Sequence, residues 1–266
     1  MDVFFYPVLI AGAIAGASTG LLGVYIVGMR MPFIGTCISH AAMVGAIYAR
    51  LLGLNPTAGA IVVSMITAAS LAGIRPSRYS LDINVALGIL FSLMLGLTFL
   101  GIGLVKDSRS EMLNLLWGTL LFVDWDTVRV IAVLGVILVA FNMAFDKELK
   151  AILFSRTIAA ATGVRERFVY FLFLGLCGII LAVNLPAIGG LLIFSLITNP
   201  AAAAYQVCRG YRSVMIVSML FGIVSAVAGF LISLWLDLPT GACIVLISAF
   251  IFALAAIYRA VIGRKD

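Results

Sequence analysis

The sequence predicts an all-α membrane protein with about nine transmembrane helices, within a range of roughly eight to ten. Apolar residues make up 64% of its 266 residues and charged residues only 11%, less than half the charged share of an average globular domain. The apolar stretches are continuous rather than alternating, which favours helices over a β-barrel. Nine crossings of about 20 residues each leave only short loops, so we expect residues 1–266 to form one transmembrane domain.

The nine predicted spans follow the apolar stretches in chain order. They cover residues 8–27, 33–52, 56–74, 83–105, 127–145, 168–184, 187–207, 213–236 and 240–258. Segment 106–126 is apolar only in its middle and is flanked by charged residues. An interfacial or re-entrant helix that carries Trp117 and Trp125 fits this segment better than a tenth crossing.

Glycine and proline mark where these spans pack and turn. Gly12, Gly16 and Gly20 share one face of the first span, a spacing typical of close contact between membrane helices. Pro186 is expected to open the seventh span after a tight outer hairpin, and Pro200 to interrupt that span. The polar residues before Pro200 either satisfy the freed backbone groups or line an aqueous path. These residues are Ser195, Thr198 and Asn199.

The distribution of basic residues predicts the orientation of the spans. With a cytoplasmic C-terminus, 13 of the 17 Lys and Arg residues fall in inside segments. The inside residues are Arg30, Arg75, Arg78, Lys147, Lys150, Arg156, Arg165, Arg167, Arg209, Arg212, Arg259, Arg264 and Lys265, and the outside residues are Arg50, Lys106, Arg109 and Arg129. The positive-inside rule then predicts an outside N-terminus and a cytoplasmic C-terminus in the cell (inner) membrane. The net charge of +6 is expected to meet anionic lipid headgroups and does not indicate nucleic acid as a partner.

An ionisable residue inside a membrane span is the first candidate for function. His40, the one histidine of the sequence, lies in the second span, roughly 10 Å from its inner end by helical rise. Thr36, Cys37 and Met43 share its helical stripe. A neutral imidazole is a common transition-metal ligand, and thiol or thioether neighbours favour softer ions. From these residues alone, the alternative interpretation is a buried histidine that hydrogen-bonds to a neighbouring helix.

The longest predicted inside loop is the most charged stretch of the chain, FDKELKAILFSRTIAAATGVRERF at 145–168. Within it, AILFSRTIAAATGV predicts a short helix at the cytoplasmic face that ends at Gly163. The loop is either a solvated face or a docking surface for a cytoplasmic partner. The sequence contains no Walker A motif, so active transport would need a partner that hydrolyses ATP.

One short motif suggests an enzyme. GASTG at 16–20 matches the GxSxG pattern, and Ser18 with His40 would make an intramembrane serine protease. The nucleophile elbow requires a strand–turn–helix context, whereas Ser18 lies inside a glycine-rich span. The protease is therefore a remote alternative, and we expect a transport chain with no enzymatic activity of its own.

Six stretches carry a family resemblance through their order and spacing. They are MRMPFIGTCISHAAMVG at 29–45, LDINVALGILFSLMLGL at 81–97, LLWGTLLFVDWD at 115–126, FDKELKAILFSRTIAAATGV at 145–164, IGGLLIFSLITNPAAAA at 188–204 and DLPTGACIVLISAFIFAL at 237–254. Through these stretches, the chain resembles the permease subunits of ABC-type zinc, manganese and iron importers, the ABC-3 family. The resemblance covers most of the chain and implies a fold like that of type II ABC importers.

The resemblance also implies a set of partners. A second permease copy would complete the pore, two cytoplasmic ATPase subunits would use ATP, and an extracytoplasmic metal-binding protein would deliver the ion. Residues 145–167, hereafter the coupling loop, would seat in the ATPase. The chain would hold no covalently bound cofactor, and the divalent metal would be its cargo.

Four residues are the candidate metal contacts under this resemblance. The family motif in the second span usually reads G-D-x-x-S-H-A, and His40 matches its histidine. Thr36 stands at the aspartate position with Cys37 beside it. Asp237 matches a recurrent acidic position, which our topology places at the outer mouth rather than beside His40.

The missing carboxylate bears on which cargo the chain carries. Its loss weakens the case for manganese, whereas His40 with Cys37 or Met43 would tolerate zinc or a softer ion. It equally fits weak, transient coordination, because a pathway must release its ion. The sequence thus predicts the membrane subunit of an ATP-driven importer of zinc, manganese or iron. The alternative is a permease of the same architecture for a metal chelate or another small solute.

Overall fold

The computed structural model describes residues 5–73, 83–104, 116, 118, 123–190 and 193–262, and all regular elements within these ranges are helices. Eleven helices follow one another along this described part of the chain. They are α1 (Phe5–Gly28), α2 (Phe33–Leu51), α3 (Pro56–Gly73), α4 (Ile83–Leu104), α5 (Trp125–Ala144), α6 (Asp146–Phe154), α7 (Arg156–Ala161), α8 (Glu166–Ile188), α9 (Ile193–Val207), α10 (Tyr211–Leu236) and α11 (Thr240–Ile262).

Most of these helices are membrane spans by length and composition. Within the described residues, eight are long and apolar enough to cross a bilayer, namely α1 to α5, α8, α10 and α11. They coincide with eight of the predicted spans, which confirms the all-α, multi-pass architecture. In the predicted seventh span, α9 has only 15 residues. Its length of about 22 Å is shorter than a hydrocarbon core of roughly 30 Å.

The prediction that Pro186 opens the seventh span is wrong. The helix α8 continues through Pro186 and ends at Ile188, and Gly189 follows with a φ of 92°. Pro186 lies in the last turn of the helix, and its missing N–H removes one backbone hydrogen bond there. A positive φ suits glycine, which has no Cβ. The turn after α8 therefore begins at Gly189.

The predicted interruption at Pro200 is also wrong, because α9 is continuous through this residue. Next to it, the Thr198 hydroxyl donates to the carbonyl of Phe194 at 2.8 Å. The side-chain amide of Asn199 donates to Ser248 Oγ on α11 at 3.0 Å. Side-chain bonds and neighbouring helices hold a membrane helix together across a proline. Thr198 and Asn199 thus bond within the protein.

The second helix is the most enclosed part of the bundle. Of the 19 residues of α2, 15 are buried, because α3, α4, α8 and α9 pack around it. Small residues make this enclosure possible. At Gly45, for example, an added Cβ would overlap the backbone carbonyl of Gly59 on α3.

A second seam of small residues joins α1 to α10. Gly16 lies directly against the backbone of Gly222, and Gly20 lies against that of Ser218. The Ser218 hydroxyl donates to the carbonyl of Gly20 at 2.7 Å. The close helix contact predicted from the glycine spacing is confirmed at Gly16 and Gly20.

The two ends of the bundle differ in what they carry. We call the end with residues 145–165 the loop face and the opposite end, with residues 52–55 and 237–239, the far face. The hydroxyl of Tyr25, near the end of α1, meets that of Tyr211, the first residue of α10. Both helix ends lie at the loop face, because Lys150 of α6 lies over the Tyr211 ring. The second helix therefore runs from the loop face to the far face.

The helices on either side of segment 106–126 both border the far face. Gly101, in the last turn of α4, packs against Tyr48 near the end of α2. Val128, in the first turn of α5, clusters with Ala11 in the first half of α1. The chain thus leaves α4 and enters α5 on the same side of the bundle.

Most of the predicted interfacial helix at 106–126 lies outside the described residues, Trp117 included. In the described part, Leu116 is buried in a cluster with Met43, and Gly118 lies against the backbone that follows α8. Trp125 is an exposed first residue of α5.

Candidate metal-contact site

The local sequence places His40 in the middle of the protein rather than at its surface. Pro32, which has no N–H, precedes the first residue of α2 and suits a helix start. The helix then continues without interruption, so that Thr36 lies one turn before His40 on the same stripe. His40 is only 1% exposed.

The histidine ring is oriented by its own helix and by α4. Its Nδ1 lies 3.0 Å from the carbonyl oxygen of Thr36. The imidazole and the Phe91 ring are nearly perpendicular, with 4.9 Å between their centroids. Because a carbonyl oxygen only accepts, Nδ1 carries the proton and Nε2 presents its lone pair. Nε2 is buried without a hydrogen-bond partner among the described residues. A hydrogen bond from the other ring nitrogen to a backbone carbonyl is the usual arrangement of a metal-binding histidine.

A second unpartnered atom lies one turn away. The hydroxyl oxygen of Thr36 is buried and has no hydrogen-bond partner in the described chain. Within a membrane, an unpaired polar atom is unfavourable by several kcal/mol, and such atoms call for an explanation such as a ligand. Thr36 Oγ1 and His40 Nε2 thus lie on one stripe of α2, and each has a free lone pair that could contact a cation. We call them the two donor atoms, in the sense of metal coordination.

Cys37 and Met43 are directed elsewhere. The thiol of Cys37 donates to the backbone carbonyl of Leu87 on α4, with 3.0 Å between sulfur and oxygen. The sulfur of Met43 lies against Gly190, beyond the end of α8. The thiol thus links two helices, and the structure brings together Thr36 and His40 rather than all four residues of the stripe.

Asp237 lies far from this pair. It follows α10 as a left-handed cap residue with φ 52° and is exposed at the far face. His40 is only seven residues from Phe33, at the loop-face end of α2. Most of the thickness of the bundle therefore separates the two residues.

Sequence reasoning missed Asn184 on α8. Its side chain is buried, and its Nδ2 has no hydrogen-bond partner among the described residues. An asparagine in the otherwise apolar run IILAVNLPAIGG was a signal that could have drawn attention to it. Within the described chain, no group of three or more His, Cys, Asp and Glu residues could hold a metal ion. The described residues of one chain therefore offer a cation a sparse contact rather than a closed cage.

Comparison with known proteins connects this geometry to a family. The profile of the ABC 3 transport family matches residues 1–259. The chain belongs to the ABC 3 transport family.

Two characterised members of the ABC 3 transport family match nearly the whole chain. The chain is 30% identical over 264 residues to the manganese import system permease protein ScaB of Streptococcus parasanguinis, covering 99% of this chain and 93% of that protein. It is 27% identical over 259 residues to the high-affinity zinc uptake system membrane protein ZnuB of Haemophilus influenzae, covering 97% and 99%.

A solved structure agrees with the fold. PsaBC from Streptococcus pneumoniae in complex with Fab has a chain that is 26% identical and matches with a TM-score of 0.86. The match covers 100% of this chain and 96% of that one. The arrangement of the helices is therefore that of an ABC transporter permease.

The protease alternative has no support. Ser18 lies in the middle of the continuous helix α1, and its hydroxyl donates to the carbonyl of Ala15 at 3.0 Å. A nucleophile elbow would need a strand–turn–helix at this point. Membership of the ABC 3 transport family indicates transport instead.

Proposed function

We propose that this chain is the membrane permease subunit of an ATP-driven importer of divalent metal ions, either zinc, manganese or iron. The observation that carries the proposal is the pair formed by His40 Nε2 and Thr36 Oγ1, both buried and without a partner in the described chain. The names of the ABC 3 relatives, which include zinc and manganese systems, support the same class of cargo.

The pair suits passage better than storage. Both donor atoms are neutral, so they lower the energy of a partly dehydrated cation without the strong attraction of a carboxylate. A site on a pathway has to bind an ion and then release it. An imidazole nitrogen favours zinc over a hard ion such as manganese. We therefore expect Zn²⁺ to be preferred among the three ions. The Cys37 thiol is not counted as a contact, because it donates to the carbonyl of Leu87 on α4.

The coupling loop is the proposed docking surface for the ATPase. It contains α6 and α7, and Phe154, the last residue of α6, is 82% exposed. Ile158 in α7 is also exposed. Large apolar side chains on an exposed, charged segment are typical of an interface anchor. ATP hydrolysis then belongs to separate cytoplasmic subunits, and this chain carries out no chemistry.

The charge distribution supports a cytoplasmic loop face. Of the eleven described basic residues, nine lie at or near the loop face and two, Arg50 and Arg129, near the far face. By the positive-inside rule, the N-terminus is outside and the C-terminus cytoplasmic in the cell (inner) membrane. Asp237 then lies at the outer mouth, where an exposed carboxylate attracts cations delivered by a binding protein.

A second copy of the permease completes the proposed assembly. The described residues of one chain supply two free donor atoms and no cage, so a full coordination shell needs further groups, such as water or a partner chain. Anionic lipid at the loop face is the remaining partner.

The test compares two variants in the complex reconstituted with its ATPase. We expect Zn²⁺ to stimulate ATP hydrolysis and uptake in the wild type, and His40→Ala to lower uptake about tenfold or more, the scale on which ligand changes alter metal affinity. Ser18→Ala is the matched control and should leave uptake unchanged.

Different outcomes separate the alternatives. Stimulation by a metal chelate but by none of Zn²⁺, Mn²⁺ and Fe²⁺ would favour the chelate permease over the free-ion importer. Full uptake by a properly assembled His40→Ala complex would show that the histidine makes no functional contact with the ion.

A further inference from the structure

A buried polar cluster lies directly behind the coupling loop. Asn142, in the last turn of α5, donates its side-chain amide to the hydroxyl of Tyr25 near the end of α1. The hydroxyls of Tyr25 and Tyr211, the first residue of α10, are 2.5 Å apart. Tyr25 and Asn142 are both buried. Three helices that are distant in sequence thus meet through one chain of hydrogen bonds.

The cluster connects to the coupling loop in two ways. Phe145 is the cap residue that follows α5 and precedes α6, so that Asn142 lies one turn before the loop. From α6, the ammonium group of Lys150 lies 4.8 Å from the centroid of the Tyr211 ring and 2.6 Å from Asp146 Oδ2. A cation at this distance from an aromatic ring is attracted to it. Movement of α6 would therefore reach both Asn142 and Tyr211.

The cluster also connects to the candidate metal contacts. The backbone N–H of Met29 donates to the carbonyl of Tyr25 at 2.8 Å, and that of Ile34 donates to the carbonyl of Met31 at 3.1 Å. These bonds belong to the short turn that joins α1 to α2. Thr36 lies only eleven residues after Tyr25, in the first turn of α2. A shift at Tyr25 is thus passed on at the loop-face end of the helix that carries the metal contacts.

Packing alone does not require these polar groups. Tyr25 lies in an apolar cluster and meets the Phe173 ring edge-on at 5.2 Å between centroids. A phenylalanine could make the same apolar contacts, whereas a buried hydroxyl is unfavourable unless it is hydrogen-bonded. Directional bonds set the relative position of three helices more strictly than apolar contacts do, because they hold only in certain geometries.

From these contacts we infer that Tyr25, Asn142 and Tyr211 form a positioning relay between the coupling loop and the loop-face end of α2. The relay passes the movement of an ATPase docked on the loop to Thr36 and His40, so that ATP hydrolysis is coupled to ion movement. None of the three residues touches the ion. The inference rests on the proposed function, since it requires an ATPase at the coupling loop.

A second anchor of the loop provides a contrast. Arg156 of α7 lies 3.9 Å from the centroid of the Tyr170 ring and 3.3 Å from Glu166 Oε2. Both partners are on α8, and these contacts do not include α1 or α10. This anchor fastens the loop to the bundle, whereas the relay reaches the helix that precedes the metal contacts.

Tyr211→Phe is the sharpest test, because it removes one hydroxyl and keeps the ring under Lys150. The reconstituted complex with its ATPase is supplied with Zn²⁺, Mn²⁺ and Fe²⁺ in separate experiments, and ions moved per ATP hydrolysed are measured. We expect this ratio to fall about fivefold, the factor that corresponds to one hydrogen bond of ordinary net strength. The amount of ATPase that co-purifies and the rate of ATP hydrolysis should remain those of the wild type.

Tyr205→Phe is the matched control. Its hydroxyl, also near the loop face, donates to the carbonyl of Val24 at 2.9 Å and is not part of the relay. The ratio should stay at the wild-type value. In Tyr25→Phe, where the relay is already broken, adding Tyr211→Phe should lower the ratio no further, because both changes remove the same bond.

Three results would overturn the relay: an unchanged ratio in Tyr211→Phe, a loss in proportion to disassembly of the complex, or independent losses in the double variant. Failure of the proposed function would look different, because the wild-type complex would then move none of Zn²⁺, Mn²⁺ and Fe²⁺. A wild-type complex that moves an ion, together with an unchanged Tyr211→Phe ratio, refutes the relay alone.

Discussion

The hydroxyl of Thr36 determines how strongly the proposed contact can hold a cation. Together with the neutral imidazole of His40, it offers two uncharged donor atoms. A carboxylate at the same position would add a full negative charge inside the membrane, where a divalent cation would be attracted strongly. The threonine therefore favours a weak contact from which the ion leaves readily.

Restoring the carboxylate should change the preference among ions. In Thr36→Asp, the new anionic oxygen beside His40 favours harder ions. We expect Mn²⁺ to compete with Zn²⁺ for uptake on the order of tenfold more effectively, the scale of a change in a ligand shell. The measurement is inhibition of Zn²⁺ uptake by increasing Mn²⁺ in the reconstituted complex.

Thr36→Asn is the control for this variant, since asparagine has nearly the shape of aspartate without its charge. It should leave the competition close to that of the wild type. An equal gain of Mn²⁺ competition in both variants would mean that size or packing, not charge, sets the preference.

The sequence predicted this pair of residues but not its chemistry. Thr36 and His40 are four residues apart, so helical periodicity alone places them on one stripe. Which ring nitrogen of His40 is free depends on its rotamer, and the ring contacts both the Thr36 carbonyl on its own helix and Phe91 on α4. The thiol of Cys37 was expected beside the ion, yet it bonds to α4. Neither contact with α4 could be identified from residues local in sequence.

Among the elements, the coupling loop has one side that packs against the bundle and another side that is exposed. On the packed side, the guanidinium group of Arg156 lies over the Tyr170 ring, and Leu149 and Ile152 are buried. On the exposed side lies Phe154, at the junction of α6 and α7. A segment that is anchored at the bundle and exposes an apolar side chain can transmit force from a bound partner.

Phe154→Asp should weaken the association with the ATPase. The charge removes the apolar anchor while the buried side of the loop is unchanged. We expect affinity about tenfold lower or more, the loss typical of a central interface residue, measured by titrating the purified ATPase onto the permease in detergent.

Leu52→Asp is the matched control, because Leu52 is 74% exposed but lies at the far face. It should bind the ATPase as the wild type does. If Phe154→Asp also bound normally, the ATPase would not use the junction of α6 and α7 as its anchor.

The sequence predicted the helical spans better than it predicted the turns and the contacts between helices. Continuous apolar runs predicted the spans well, because each run has to match the thickness of the bilayer. The two prolines were misread, because the cost of a proline depends on neighbours that the local sequence does not show. Asn142 is a polar residue in an apolar helix, but nothing local in sequence connects it to Tyr25 and Tyr211, since the three residues are on three separate helices.

For the whole molecule, the scarcity of charge explains a division of labour. Charged residues are 11% of the chain, and those described lie mainly at the two faces and in the coupling loop. The interior of the bundle keeps few groups that could drive a proton or sodium relay. We therefore expect energy and substrate selection to come from partners, with this chain supplying the pathway.

Orientation is the last property of the whole molecule that follows from charge. If the basic loop face is cytoplasmic, the far face is outside. A single cysteine placed at Leu52 should then react with a membrane-impermeant maleimide in intact cells. A cysteine placed at Phe154 should react only after the membrane is permeabilised. Both positions are highly exposed, so access to the reagent depends on the side of the membrane.

The native cysteines are expected to contribute little background to this labelling experiment. Cys37, Cys177 and Cys243 are buried, and burial raises the pKa of the Cys208 thiol, so that less of the reactive thiolate is present at neutral pH. Cys208→Ser removes this remaining site and serves as the unlabelled background. Labelling of Phe154→Cys in intact cells, with protection of Leu52→Cys, would reverse the orientation and would place the coupling loop beyond the reach of a cytoplasmic ATPase.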